Sequence, residues 1–251
     1  MEVHHHSHTA RQKWTHYFWE FLMLFLAVFC GFLAEYQLEH LIEHQRERKY
    51  AISMLDDLRK DSADLNLDIF WWNSQLKRVD TILQELDKPE QKRNAVILYR
   101  CVSFMRRYNS FEYHDRTVEQ LKNAGFFRLF REKKVAEAIM DYDALVRRTL
   151  LSIEEGSNNI YYNLNFFQNT IFDSRYFPTL RTSFHLDSLY VVHPEAFLLR
   201  EKEKGDIFEY ANHLRYYKGN MVLRVNFMQA LLNNARSTID LISREYKIKM
   251  N

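Results

Sequence analysis

Glycine and proline are scarce in this chain, with 5 and 3 among 251 residues. A sheet protein of this size needs more turn residues than that, so a strand-and-turn architecture is excluded and helices are expected. Cysteine is rarer still: Cys30 and Cys101 cannot form a disulfide framework, and they leave the redox compartment open. No charge of one sign dominates, and a formal net charge of +2 argues against a nucleic-acid footprint. The phosphate-cradling and nucleophile-elbow motifs are missing too: there is no G-x-x-x-x-G-K-[ST], no G-x-G-x-x-G and no G-x-S-x-G. No catalytic or cofactor-binding residue is therefore assigned, no cofactor is expected, and the reading leans away from an enzyme.

What is present is one long apolar run. Phe21 to Ala34 carries no charge and is apolar on every side rather than along one stripe. Extended to its aromatic ends, Tyr17 to Tyr36, it makes roughly 30 Å of helix, enough to cross a bilayer. Trp14, Tyr17 and Trp19 at one end and Tyr36 at the other suit interfacial anchors. A signal peptide cut after Ala34 or Gly31 would leave Phe32 or Phe29 where a small residue is wanted, so an uncleaved anchor is expected. Arg11 and Lys13 lie closer to the run than Arg46, Arg48 and Lys49 do, which places the N-terminus inside and the rest of the chain outside.

One face of this span reads Glu20, Leu24, Ala27, Gly31, Ala34 and Leu38. Ala27 and Gly31 have the small-xxx-small spacing that lets membrane helices approach closely. Glu20 shares that face, and a carboxylate there must reach the interface or face protein or water. Glu20, Leu24, Ala27, Gly31 and Ala34 are thus the candidate packing residues of a homo-oligomer, or the wall of a pore.

Past the span the helical period continues to Pro89. Leu55, Leu58, Leu65, Ile69, Trp72, Leu76, Val79, Ile82 and Leu86 recur at spacings of three, four and seven. Residues 39–49 are mostly charged and read as a solvated stalk. Within it His40, Glu43 and His44 spell H-x-x-E-H, a zinc-hydrolase pattern with Glu119 as a candidate third ligand. A charged helix beside a membrane, in a chain without strands, is the wrong context for that chemistry. His4, His5, His6 and His8, with His16, form a second metal candidate, against the plainer reading of a disordered tail. No metal is assigned to either group.

The remaining chain predicts a helix after Pro89 with Val96, Ile97, Tyr99, Val102 and Phe104 inward, and a short helix opened by a Thr117–Gln120 capping box and closed by Gly125. A long helix follows over about 133–172, and a last one begins at Asp206 and crosses Gly219. Residues 173–205, with Pro178, Pro194 and the strand-like Y-V-V, are irregular. His114-Asp115 and the carboxylates of E-L-D-K-P-E read as cap and loop residues. In each aromatic pair Trp71-Trp72, Phe126-Phe127, Tyr161-Tyr162 and Phe166-Phe167, one ring can face a core and the other a second surface.

The expected fold is all-α: a tail over 1–16, a transmembrane helix over 17–36, a charged stalk over 37–49 and a long-helix bundle over 50–251. The H-H-H start, the span Y-F-W-E-F-L-M-L-F-L-A-V-F-C-G-F-L-A-E, the segment T-V-E-Q-L-K-N-A-G and the closing L-I-S-R-E-Y resemble a family of bacterial single-pass membrane proteins with no established activity. The resemblance implies a bacterial inner-membrane location and transfers no functional residue. Three functions remain in view: an oligomeric scaffold or accessory subunit with protein partners at the cell envelope, a homo-oligomeric ion channel with Glu20 at its entrance, and a metal-binding membrane protein. The lipid bilayer is the first partner expected, and nucleic acid is not one.

Overall fold

The computed structural model describes residues 14–105, 110–173, 177, 199–200 and 205–248, without the side chains of 155–161. Among the described residues there are five α-helices, α1 (Trp14–Leu86), α2 (Ala95–Met105), α3 (Arg116–Asn123), α4 (Lys133–Ile171) and α5 (Asp206–Glu245), with short 3-10 turns at Glu90–Lys92 and Phe126–Leu129. The fold is all-α, and no strand occurs among the described residues. The chain divides into two units, Met1–Tyr50 and Ala51–Asn251. The first consists, where described, of the opening part of α1, which includes an 18-residue window long and apolar enough to cross a membrane.

In the second unit the contacts define a bundle. α5 is antiparallel to α1: Arg215 reaches Asp87 at 2.9 Å and Lys218 reaches Asp80 at 2.5 Å, while Arg236 reaches Asn66, several turns earlier, at 3.4 Å. It is antiparallel to α4 as well, with Lys134 3.8 Å from Glu245 at one end and Phe167 stacked on His213 at 5.0 Å toward the other. α1 and α4 therefore run the same way. α2 and α3 run back along α1, since Gln75 donates to the Phe104 carbonyl at 3.4 Å and the Thr117 N–H donates to Asp57 at 3.1 Å. The result is an up-down-up-down four-helix arrangement whose second column is made of two short helices in series.

The core follows a strict heptad on α1: Ala51, Met54, Leu58, Asp61, Leu65, Asp68, Trp72, Gln75, Val79, Ile82 and Leu86 are all buried. The alternation of three and four keeps one stripe of a helix toward its neighbours over ten turns. α5 answers with Tyr210, Leu214, Tyr217, Met221, Arg224, Met228, Leu231, Ala235, Thr238 and Ile242. α2 contributes Leu98, Tyr99 and Val102 to a cluster with Trp72, Leu164 and Phe172. Each aliphatic side chain fully buried there stabilises the fold by about 1.5–3 kcal/mol.

Local signals set most helix ends. α1 stops three residues before Pro89, and Asn94 caps α2 by accepting the Ile97 N–H at 3.1 Å. Gly125 closes α3 in the left-handed region at φ 63°, as expected, where a side chain would be strained. α5 starts at Asp206 behind Gly205 (φ 111°) and passes through Gly219 unbroken. The expected Thr117–Gln120 capping box does not form. α3 begins one residue earlier, at Arg116, and the Thr117 hydroxyl bonds Ser53 at 2.8 Å and the Asp57 carboxylate. A buried carboxylate from α1 is a stronger acceptor than a local side chain and takes over the cap. On α2 the inward residue between Ile97 and Tyr99 is Leu98, while Ile97 is exposed. Of the stretch 173–205, Arg200 is held against the end of α4, its N–H donating to the Ile171 carbonyl at 2.8 Å and its guanidinium pairing with Asp173. Pro178, Pro194 and the Y-V-V segment lie outside the described residues.

Candidate functional site

The span face expected to pack is a continuous exposed stripe. Glu20, Leu24, Ala27, Gly31 and Ala34 follow one another at four and three residues along α1, and every one is exposed. No residue of the apolar 18-residue window is buried, so it is not a core helix of this fold. A methyl group built on Gly31 meets nothing within 4 Å. Glu20 lies 3.5 Å from His16, one turn before it. Phe21, Phe25 and Phe29 stack on one another at 6.2 and 5.9 Å along a different side of the helix.

The metal candidates stay apart. His40 lies 3.9 Å from Glu43, and His44 lies 3.4 Å from Glu47, each a histidine–carboxylate pair along the helix. Glu119 is committed to Arg147 at 2.6 Å, with Lys122 at 3.5 Å. Among the described residues no three His, Cys, Asp or Glu side chains converge as a metal site. His4, His5, His6 and His8 lie outside the described residues.

The bundle contains a polar cluster that periodicity did not single out. Asp57 and Asp61, one turn apart on α1 and both buried, meet the start of α3 and the strap before it. Asp57 accepts from the Thr117 N–H and hydroxyl, and Arg116 lies 3.6 Å away. Asp61 accepts from the His114 N–H and Nδ1, both at 2.9 Å, and from the Tyr142 hydroxyl at 2.8 Å. Asp57 thus caps α3 from another helix, satisfying its Thr117 N–H and complementing its dipole, while Asp61 holds the strap before α3 and Tyr142 of α4. Beside them Asp143 of α4 accepts from Tyr113 at 3.0 Å, Lys122 at 2.6 Å and Arg147 at 3.0 Å.

The electrostatics of these groups differ. Burial pushes the Asp61 carboxyl up, and the hydrogen bonds from His114 and Tyr142 only partly offset it. Burial also acts on Asp143, but hydrogen bonds from Lys122, Tyr113 and Arg147 outweigh it and hold that carboxyl below its usual range. The Tyr142 and Tyr113 hydroxyls are raised by burial and by the neighbouring carboxylate charge. None of this resembles an acid–base pair open to a substrate. Each carboxylate accepts from backbone N–H groups or side chains of the bundle, and the arrangement ties α1, the strap before α3, α3 and α4 together.

Of the residues expected as cap and loop, Asp115 stands at the N-cap position of α3 without a side-chain cap bond, Glu85 lies inside α1, and His114 joins the Asp61 cluster. Asp115 pairs with Arg147 at 3.1 Å, and Glu85 accepts the Asn94 N–H at 3.0 Å. The signal that marks the missed sites is their spacing: Asp61, Asp68 and Gln75 stand seven apart in the apolar stripe, where a polar residue needs a dedicated partner. Asp68 finds Arg224 of α5 at 3.8 Å, whose guanidinium also lies 4.3 Å over Trp72. No family model, characterised protein or solved structure matches this chain.

Proposed function

We propose that this protein is a membrane-anchored helical scaffold or accessory subunit that acts by associating with further copies of itself and with other proteins at the bacterial cell envelope. The observation that carries the reading is how its chemistry is distributed. The apolar window of α1, with a mean hydropathy of 2.0, is wholly exposed, whereas the buried carboxylates of the bundle are used to hold its own elements together. Apolar surface of that extent needs lipid or protein around it. The inner membrane is the expected site, with the N-terminus inside; Arg11 and Lys13 support that orientation.

Lipid supplies no hydrophobic drive between helices, so association of spans rests on close packing at Ala27, Gly31 and Ala34. Gly31→Leu tests this cleanly, because the open space around Gly31 accommodates the larger side chain within one copy. The oligomer population in lipid nanodiscs should fall with Gly31→Leu and persist with Phe32→Leu. Equal populations in both would remove the span from the interface, and release of intact protein by alkaline carbonate would remove it from the membrane. Cation flux that drops with Glu20→Gln, with the oligomer intact, would replace the scaffold by a conducting assembly.

A further inference from the structure

One end of the second unit, the end at which α1 enters it at Ala51, is strongly basic. α5 and α3 both run toward Ala51, since Arg236 meets Asn66 and the start of α3 meets Asp57. The last turn of α5 and the turn after α3 therefore share that end. They touch there: Phe130 packs edge-on against Tyr246 at 6.5 Å, and Lys134 lies 3.8 Å from Glu245. From Gly125 to Val135 and from Ser243 to Ile248 the chain places six cations, Arg128, Arg131, Lys133, Lys134, Arg244 and Lys247, and all six are exposed. Two carboxylates accompany them, Glu132 and Glu245, and Lys134 lies 3.9 and 3.8 Å from these. The positive excess of this end is thus larger than that of the whole chain, whose net charge is +2. Lys247 closes α5 in the left-handed region at φ 49°, where glycine is the usual residue, so a cation stands where an uncharged turn residue ordinarily would. Aromatic rings lie among these charges. Phe130 is buried and fixes the 3-10 turn Phe126–Leu129, on which Phe126, Phe127 and Leu129 are only half-buried.

We infer that this end of the bundle docks on anionic lipid headgroups, those of the membrane that carries the span. The inference rests on the membrane anchor proposed above and adds a second contact with the same bilayer. Cations beside partly exposed aromatic rings are the composition of a membrane-surface contact: lysine and arginine meet the lipid phosphates while the rings lie at headgroup level. Each Lys or Arg held close to an anionic surface strengthens association about fivefold, and salt at physiological strength screens that attraction over about 8 Å. Fifteen residues of chain separate Tyr36, at the end of the expected span, from Ala51. That tether keeps the lipid surface at a high effective concentration, so a modest contact is sufficient. An acidic protein would match the charge equally, but only the bilayer is brought to this end by the chain itself.

The test uses the full chain with Cys30→Ala, Cys101→Ala and Ala124→Cys, so that an environment-sensitive fluorophore sits at one exposed position beside the turn. The protein is placed in nanodiscs of phosphatidylcholine alone or with phosphatidylglycerol added, each with and without a nitroxide on the lipid headgroups. In the anionic discs the emission should shift to the blue and be quenched by the nitroxide, and high salt should return both to the phosphatidylcholine level. Arg128→Gln, Lys133→Gln and Lys247→Gln together should lower the ratio of docked to free bundle about a hundredfold without changing the melting temperature. Equal quenching in both kinds of disc, or quenching that the triple variant retains, would overturn the inference. A blue shift without quenching overturns it too, because a second copy rather than lipid then covers this end. So does a label that stays in water in the anionic discs, a result that leaves the anchor standing because the chain is still in the disc. A chain that enters neither kind of disc overturns both readings.

Discussion

Replacing Asp57 by alanine should unfold the start of α3 before anything else changes. Asp57 is buried, and it is the acceptor for both the N–H and the hydroxyl of Thr117, itself fully buried. Alanine leaves two donors unsatisfied where water does not reach. Hydrogen bonds to a charged group contribute about 1.5–3 kcal/mol each, and an anion at a helix N-terminus adds about 0.5–1 kcal/mol. The Thr117 hydroxyl can turn to Ser53, 2.8 Å away, which recovers part of one bond. Removing the carboxylate also removes its own desolvation cost. The net loss expected is about 2–4 kcal/mol, or a fall in melting temperature of about 5–12 °C for a unit of some 200 residues. Asp57→Asn keeps one acceptor oxygen for the Thr117 N–H and should cost about 1 kcal/mol. Thermal unfolding of the full chain in detergent, followed by circular dichroism, measures the difference. Hydrogen exchange should show amides 116–119 losing protection first. Asp57→Ala melting within a degree of the parent, with α3 amides equally protected, would refute the view that Asp57 of α1 caps α3.

The neighbouring carboxylates should respond to pH with opposite signs. Asp143 is held below its ordinary value, so its contribution is full above about pH 4, the unfolded value, and lost as pH falls through the folded one; Asp143→Asn should flatten the acid limb of the stability curve. Asp61 is raised, so its contribution is full below about pH 4 and lost as pH rises through its folded value. Asp61→Asn should therefore be neutral or stabilising at pH 7, while Asp61→Leu, which strands the His114 N–H and the Tyr142 hydroxyl, should cost about 2–4 kcal/mol in a denaturant titration. Arg224→Met should cost about 3–5 kcal/mol by taking the cation from beside the fully buried Asp68, and Asp68→Leu in the same chain should recover most of it. A double variant no more stable than Arg224→Met alone would mean that the pair does not hold α5 against α1.

Much of the fold follows from the chain alone, because the signals are local. Three- and four-residue spacing from Leu55 to Leu86 needs only the geometry of a helix to predict a buried stripe, and the structure buries Leu58, Leu65, Trp72, Val79 and Ile82 as expected. Pro89 ends α1, Gly125 turns the chain in a conformation glycine adopts without strain, and the period on α5 carries the helix over Gly219 because packing outweighs the cost of one glycine. The apolar run after Tyr17 declares itself by length and composition, and folding leaves it exposed. The partners of the polar core residues were not legible in this way. Asp61 meets His114 from 53 residues away and Tyr142 from 81, and Arg215 meets Asp87 across 128. A carboxylate at a heptad position reads as a break in an apolar pattern until the donors that satisfy it are in place. Thr117 and Gln120 have the right spacing for a local cap, yet Asp57 lies closer to those donors once α1 and α3 pack. Sequence period decides which stripe of a helix turns inward, because that depends on a few neighbouring residues. Which polar groups the stripe can bury depends on charge and hydrogen-bond complements brought in by other helices, and only the tertiary structure supplies them.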